Sequence, residues 1–178
     1  MVQAGTLEVQ SAARLVLQDG RRVSIRPVAP ADAAGLGELY ARCSDDSRFF
    51  RFHAGKPGLR RAEAEYLAGS DGAGRVALVA TISEKGEERI VADARFDAVV
   101  PGDVEAALLV RDDFQGVGLG GVLLQHLVGV AASLGHRRLV LDILAGNHRM
   151  VALARRLGAR YAGPAGHSML FAVELQGG

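Results

Sequence analysis

Seven residues, Gln115-Gly116-Val117-Gly118-Leu119-Gly120-Gly121, stand between the apolar run VEAALLV and a second that begins at Val122. Glycine reaches positive φ and lets a ligand approach the backbone amides closely. If a helix starts here, its first turn presents unpaired N–H groups and the positive end of its dipole. Together these make a cradle for a pyrophosphate. The same glycines would also serve a tight turn with small residues packed between helix and strand.

Two phosphate-binding patterns overlap in the cluster. Gly116, Gly118 and Gly121 spell G-x-G-x-x-G, with Asp142 about 20 residues on as the ribose-binding acid of a dinucleotide site. Five polar or bulky residues, Arg111 to Gln115, separate that pattern from its strand, and too little chain follows Asp142 for a doubly wound sheet. The competing pattern is Q-x-x-G-x-G, from Gln115, Gly118 and Gly120.

Composition narrows the setting. The chain has 178 residues, 49% hydrophobic and 23% charged, which is ordinary globular usage and excludes disorder. Glycine is frequent, at 23 residues, but does not recur every third position, so collagen is excluded. With 21 basic and 20 acidic side chains, a wholly basic nucleic-acid surface is not expected. The single cysteine, Cys43, permits no intrachain disulfide, which suits a reducing compartment. No apolar stretch reaches the ~20 residues that span a bilayer. The start, MVQAGTLEVQSAAR, lacks the basic and apolar regions of a signal peptide. The expectation is a cytoplasmic domain, with no membrane and no nucleic-acid partner.

The reactive residues need a scaffold, and the pattern supplies one. Residues 1–12 carry no pattern and read as a flexible arm; 13–178 read as one domain. Leu15 to Leu17 and Val23 to Ile25 flank Asp19-Gly20, a hairpin signal. Helices are expected from Asp32 to about Arg42, from Ser44 through SRFFRF, and over Arg60 to Ala68. Strands follow at Val76 to Ile82, Ile90 to Phe96 and Val104 to Val110, an antiparallel meander. VEAALLV is apolar on both faces and should lie inside the sheet. After the glycines come a helix over Leu119 to Leu134, a strand over Leu139 to Ile143, a helix over Arg149 to Leu157, and strands near Arg160–Ala162 and His167–Val173. The order gives a mixed α/β sheet with helices on both faces.

The segment VRDDFQGVGLGGVLLQHLVGVAASLGHRRLVLDILAGNHRMVALARRLGA resembles the central block of the GNAT superfamily of N-acetyltransferases. Upstream, LQDGRRVSIRPVAPADAAGL and SDDSRFFRF are similar to its protein-lysine acetyltransferase branch. The resemblance implies the GNAT fold, a mostly antiparallel central sheet with helices on both faces. It implies acetyl-CoA as co-substrate and direct transfer of acetyl to a primary amine, a protein lysine first. A small-molecule amine and a non-catalytic acyl-CoA sensor are the alternatives, and a homodimer is compatible. By resemblance the backbone of Leu108, Leu109 and Val110 receives the pantetheine arm. Gln115, Gly116, Val117, Gly118, Leu119, Gly120 and Gly121 hold the pyrophosphate. Asn147 reaches the cofactor's amide portion, and Glu105 is the general base. By position alone, Glu105 also fits a strand-edge glutamate in solvent.

Many members carry a tyrosine near the departing sulfur, seven residues after the asparagine. Ala154 stands there, so no general acid is assigned; Ser168 and Tyr161 read as structural. The histidines show no metal spacing, and no metal is expected. His126 and His136 read as surface or satisfied positions, while His148, which flanks Asn147, is the one histidine read as a site candidate. Cys43 reads as buried and apolar. Phe49, Phe50 and Phe52 read as core, and Arg48 and Arg51 as residues that could meet an acidic substrate. The pairs Arg137-Arg138 and Arg155-Arg156 read as solvated faces.

Overall fold

A computed structural model describes residues 13–175. The expected arm, 1–12, and the last three residues of the expected domain lie outside them. The elements are strands β1 (Ala13–Val16) and β2 (Arg22–Pro27), helices α1 (Ala33–Arg42), α2 (Asp45–Phe52) and α3 (Arg61–Ala68), then β3 (Arg75–Glu84), β4 (Glu87–Val100) and β5 (Asp103–Val110). Helix α4 (Leu119–Ser133), strand β6 (Arg138–Leu144), helix α5 (His148–Arg156) and strands β7 (Arg160–Ala165) and β8 (Ser168–Glu174) complete the order.

The eight strands form one sheet, ordered β1-β2-β3-β4-β5-β6-β8-β7. Every neighbouring pair is antiparallel except β5 and β6. That parallel pair is the one that α4 bridges, as a crossover requires. Side chains alternate along each strand and divide between two layers of core. Val104, Ala106 and Val110 of β5 and Leu139, Leu141 and Ile143 of β6 pack with Leu119, Leu123 and Leu127 of α4 and Ala154 of α5. On the other face Leu109, Ala77 and Val79 pack with Leu36, Leu39 and Tyr40 of α1 and Ala68 of α3.

Asp32 does not cap α1 through its side chain. Its carboxylate instead accepts the Ala29 N–H at 2.7 Å and both terminal nitrogens of Arg26, closing a short 3-10 turn ahead of the helix. Ser44 does cap α2, accepting the Ser47 N–H at 3.2 Å. A charged network lies under α1: Tyr40 donates to Asp93 at 3.0 Å, and Arg95 donates to both Asp93 oxygens and, at 2.9 Å, to the Leu67 carbonyl closing α3. Asp93 is fully buried and Arg95 nearly so, so each charge relies on the other.

Candidate active site

Strand β5 stays paired to β4 through Val110, opposite Ala92. Strand β6 stays paired to β8 through Leu144, opposite Ser168. Between β5 and β6, however, the ladder runs only from Asp103↔Arg138 to Ala106↔Leu141. Beyond that rung the strands part. Ala107, Leu108, Leu109 and Val110 are left with an edge that no strand fills. An unfilled edge of this kind can take an extended, amide-bearing chain as an added strand.

The glycine turn stands at the open end of this split. Gly116 and Gly118 have φ of 76° and 92°, the left-handed region in which a side chain is strained. Among the described residues, the N–H groups of Gly116 through Gly121 have no acceptor; the first helical bond of α4 runs from the Val122 N–H to the Gly118 carbonyl at 3.2 Å. No acidic side chain occupies the first turn of α4. Six free donors at the head of a 15-residue helix form a site suited to an anion. A Cβ on Gly120 would come within 3.0 Å of Leu108 Cδ2, so this glycine lets the helix sit against β5. The β1–β2 turn buttresses the loop. The Gln18 N–H donates to the Val117 carbonyl at 3.3 Å, and Arg21, lying 3.7 Å above the Phe114 ring, donates to the Asp113 carbonyl at 2.7 Å.

The side chain of Gln115 is spent on the protein. It donates to the Val110 carbonyl at 2.9 Å and to Ser47 Oγ at 3.0 Å, and accepts from Arg149 at 3.0 Å. It thus ties the end of β5 to α2 and α5. Asn147 caps α5: its Oδ1 accepts the Met150 N–H at 3.1 Å. That places it beyond the β6 lip of the split, on the loop after Leu144.

Glu105 sits at the closed end. Its rung partner on β4 is Asp97 and on β6 is Val140. Its side chain leaves the α4 face and points to the side covered by α1 to α3. Because β5 is an interior strand, Glu105 is not an edge glutamate, although solvent still reaches it. Partial burial pushes its pKa above the usual carboxylate range; Asp142 pushes it further, Asp97 adds a little, and His53 and Arg51 pull it back. The direction is the one that burial was expected to give, and Asp142 supplies part of it.

Helix α2 forms the opposite wall. Asp112, in the short turn after β5, accepts from the Ser44 N–H at 2.8 Å, Ser44 Oγ at 2.7 Å and Ser47 Oγ at 2.8 Å. Phe50 faces Gly146 across the cleft, its Cε1 4.0 Å from where a Cβ would stand. The expectation that Phe49, Phe50 and Phe52 are core residues is corrected: α2 buries none of its residues, and Phe49 is 44% exposed. Only Phe52 packs inward, 5.4 Å from the Tyr40 ring. A short helix whose ends are fixed by Asp112 and by the left-handed His53 lies over the cleft, not in either core layer. Arg48 turns inward to the Tyr40 and Cys43 carbonyls and to Asp45, so it does not face an acceptor.

The remaining readings fall as follows. Cys43 is buried and its thiol is pushed up to about 12, by burial first and then by Asp112. Ala154 is fully buried. Ser168 donates to the Ala165 carbonyl at 2.8 Å, and Tyr161 is exposed, edge-on to Phe171. His126 and His136 bond the Val122 and Ala73 carbonyls, and His148 is exposed at the start of α5. Among the described residues no group of side chains could hold a metal, and no helix is long and apolar enough to cross a membrane. Sequence reasoning missed His53 and Asp97 and met Asp142 only as a ribose ligand. The signal was the period of two: Asp97 and Asp142 fall on alternating positions of their strands, but the register that sets them beside Glu105 is not written locally.

Comparison with known proteins agrees with this architecture. The family model described as an acetyltransferase (GNAT) domain matches residues 22–160. An acetyltransferase of Pseudomonas aeruginosa, PA5475, is 36% identical over 143 residues, covering 80% of this chain and 77% of that protein. An L-methionine sulfoximine/L-methionine sulfone acetyltransferase of Pseudomonas paraeruginosa is 44% identical over 62 residues, 35% of this chain and 36% of that protein. The crystal structure of the GNAT domain of S. lividans PAT superposes with a TM-score of 0.85 at 30% identity, covering 92% of this chain and 97% of that one. A parted pair of parallel strands, a free-amide turn at their open end and this similarity over most of the chain have one reading: the chain belongs to the GNAT superfamily and is an acetyl-CoA-dependent acetyltransferase.

Proposed function

We propose that this acetyltransferase moves acetyl from acetyl-CoA directly to a primary amine on a cationic acceptor, a protein lysine first, with Glu105 as general base. The observation that carries the reading is the line from the free amides at Gly116–Gly121, along the unfilled edge of Ala107–Val110, to the Glu105 carboxyl at the closed end. The residues fit the cofactor. The amides suit its pyrophosphate, the edge of Leu108, Leu109 and Val110 suits its pantetheine amides, and Asn147, with Oδ1 engaged, has Nδ2 left to donate. Gln115 contributes by holding the loop in place.

Acetyl-CoA supplies a thioester whose C–S bond breaks as the acetyl carbon bonds to the acceptor nitrogen, releasing CoA as a thiolate. A lysine-type amine titrates near ~10.4 and arrives as an ammonium. It must lose one proton to attack and a second to become an amide. Glu105, raised above a free glutamate's ~4.3, accepts one, and solvent at the open mouth takes the other. Ala154 offers no proton, and none is required, because a thiol near ~8.5 leaves as a thiolate at modest cost.

A small amine as acceptor is the second reading, favoured by the 62-residue match to a methionine sulfoximine and sulfone acetyltransferase. The test is CoA release with acetyl-CoA and a lysine-bearing peptide, free amino acids or polyamines, in the wild type and Glu105→Gln. Release with the peptide, lost in the variant while acetyl-CoA binding persists, supports the proposal. Release with small amines alone moves the acceptor to the second reading. Tight binding with no release for any amine identifies a sensor.

A further inference from the structure

Asp142 is the first β6 residue past the last rung shared with β5, and it lies on the Glu105 face, since Leu141 and Ile143 turn to the α4 core. Its Oδ1 is buried and has no hydrogen-bond partner among the described residues. Among the same residues no hydrogen bond reaches its other oxygen either. A buried, unpaired acceptor costs ~1–3 kcal/mol, more for a charged group, and calls for an explanation. No partner is found among the described residues: its neighbour on β8 is Leu170, whose side chain carries no donor. Arg51 of α2 and His53, which ends that helix, act on Glu105, and Arg95 on β4 donates to Asp93.

We propose that Asp142 is a positioning residue for the acceptor: its carboxylate receives the ammonium of a cationic amine and holds the nitrogen beside Glu105. The inference rests on the proposed amine acetyltransferase reading and names what that site selects for. Asp142 and Glu105 stand on the two lips where the split begins, and among the described residues neither is ion-paired; Asp97, on the far side of Glu105, is taken by Arg75 at 3.1 Å. An ammonium brings three N–H donors, enough to satisfy both Asp142 oxygens. As the nitrogen loses its charge, its hold on Asp142 weakens and the product amide is released.

The experiment uses n-butylammonium as probe and n-butanol as uncharged control, titrated by NMR into the full chain saturated with CoA. Wild type should bind n-butylammonium saturably and n-butanol not. Asp142→Asn should weaken the probe about tenfold or more, as loss of a charged hydrogen bond implies, with acetyl-CoA affinity unchanged; Asp142→Glu should recover part of it. In turnover, Asp142→Asn should raise KM for the amine. It should also shift the acid limb of kcat/KM to lower pH, because Glu105 loses a negative neighbour while Asp97, Arg51 and His53 stay in place. A purely structural Asp142 would lower Tm and leave both the probe affinity and the KM for the amine unmoved. The proposal is overturned if wild type does not bind the probe, if Asp142→Asn binds it as tightly, or if only acetyl-CoA affinity changes. Probe binding through Asp142 with no CoA release for any amine would sink the catalytic reading and leave this one standing.

Discussion

Ala106 of β5 faces Leu141 of β6 in their last shared rung, one residue past Glu105 and one before Asp142. The rung divides the strand pair into two parts. Below it the strands are cemented by a ladder and a shared core; above it each leans on its other neighbour, β4 or β8. Glu105 and Asp142 flank the point where pairing ends, so their geometry is set by a place where the sheet stops being a sheet.

Because Glu105 must be ionised to accept a proton, kcat/KM should rise with pH through its pKa. Burial and Asp142 raise that pKa, so the limb should lie above the ~4.3 of a free glutamate. Glu105→Gln should lose this limb and about 10²–10⁴ in turnover, the usual range for a general base. The check is a pH profile with acetyl-CoA saturating. An unchanged limb in the variant would assign the titration to another group.

The glycine turn makes a graded prediction. Gly116→Ala meets no atom within 4 Å and suffers only the positive-φ strain, ~1–2 kcal/mol. Gly118→Ala adds a Cβ 3.3 Å from Gln18 Nε2 at a φ of 92°, and disturbs the turn that opens α4. Acetyl-CoA affinity, measured calorimetrically, should fall in both and further in Gly118→Ala. Equal affinities in both variants and the wild type would mean that these amides do not hold the phosphates.

Where a local signal existed, the chain was legible. Asp19-Gly20 gave its hairpin, the apolar character of both faces of VEAALLV an interior strand, and Gln115 to Gly121 the turn into α4. Helix α2 was placed correctly, yet its phenylalanines were assigned to the core because hydrophobicity says that a face is apolar and not what it covers. The split of β5 from β6 has no local signature at all. It depends on which rungs form between segments about 30 residues apart, which a strand pattern does not encode. Asp142 and Asp97 come beside Glu105 only through that register.

Cys43 tests whether transfer is direct. A buried thiol pushed up to about 12 is protonated at neutral pH and shielded from reagent. The folded protein should resist a disulfide reagent at pH 8 and react fully once unfolded in denaturant. Cys43→Ala should keep turnover within about threefold if, as proposed, acetyl passes directly to the amine. Rapid labelling of the native protein that abolishes activity would contradict both the burial and the direct route.

Asp112 joins the two halves of the site. It holds Ser44 and Ser47 of α2, Ser47 Oγ in turn accepts from Gln115, and Gln115 holds the Val110 carbonyl and Arg149. Asp112→Ala should therefore raise KM for acceptor and acetyl-CoA together, where a change confined to the acceptor wall would raise only the first. Burial pushes the Asp112 pKa up, but the Ser44 and Ser47 hydrogen bonds outweigh it and the net shift is downward. A group held below its unfolded value stabilises the fold above that value and loses the contribution as pH falls through the folded one. The Tm gap between wild type and Asp112→Ala should thus be constant near neutrality and close below about pH 4. Solvent reaches this carboxylate, so the gap should correspond to the low end for a hydrogen-bonded charge, about 1 kcal/mol. A gap that persists in acid would locate the effect in packing of the turn after β5, not in the ionised hydrogen bonds.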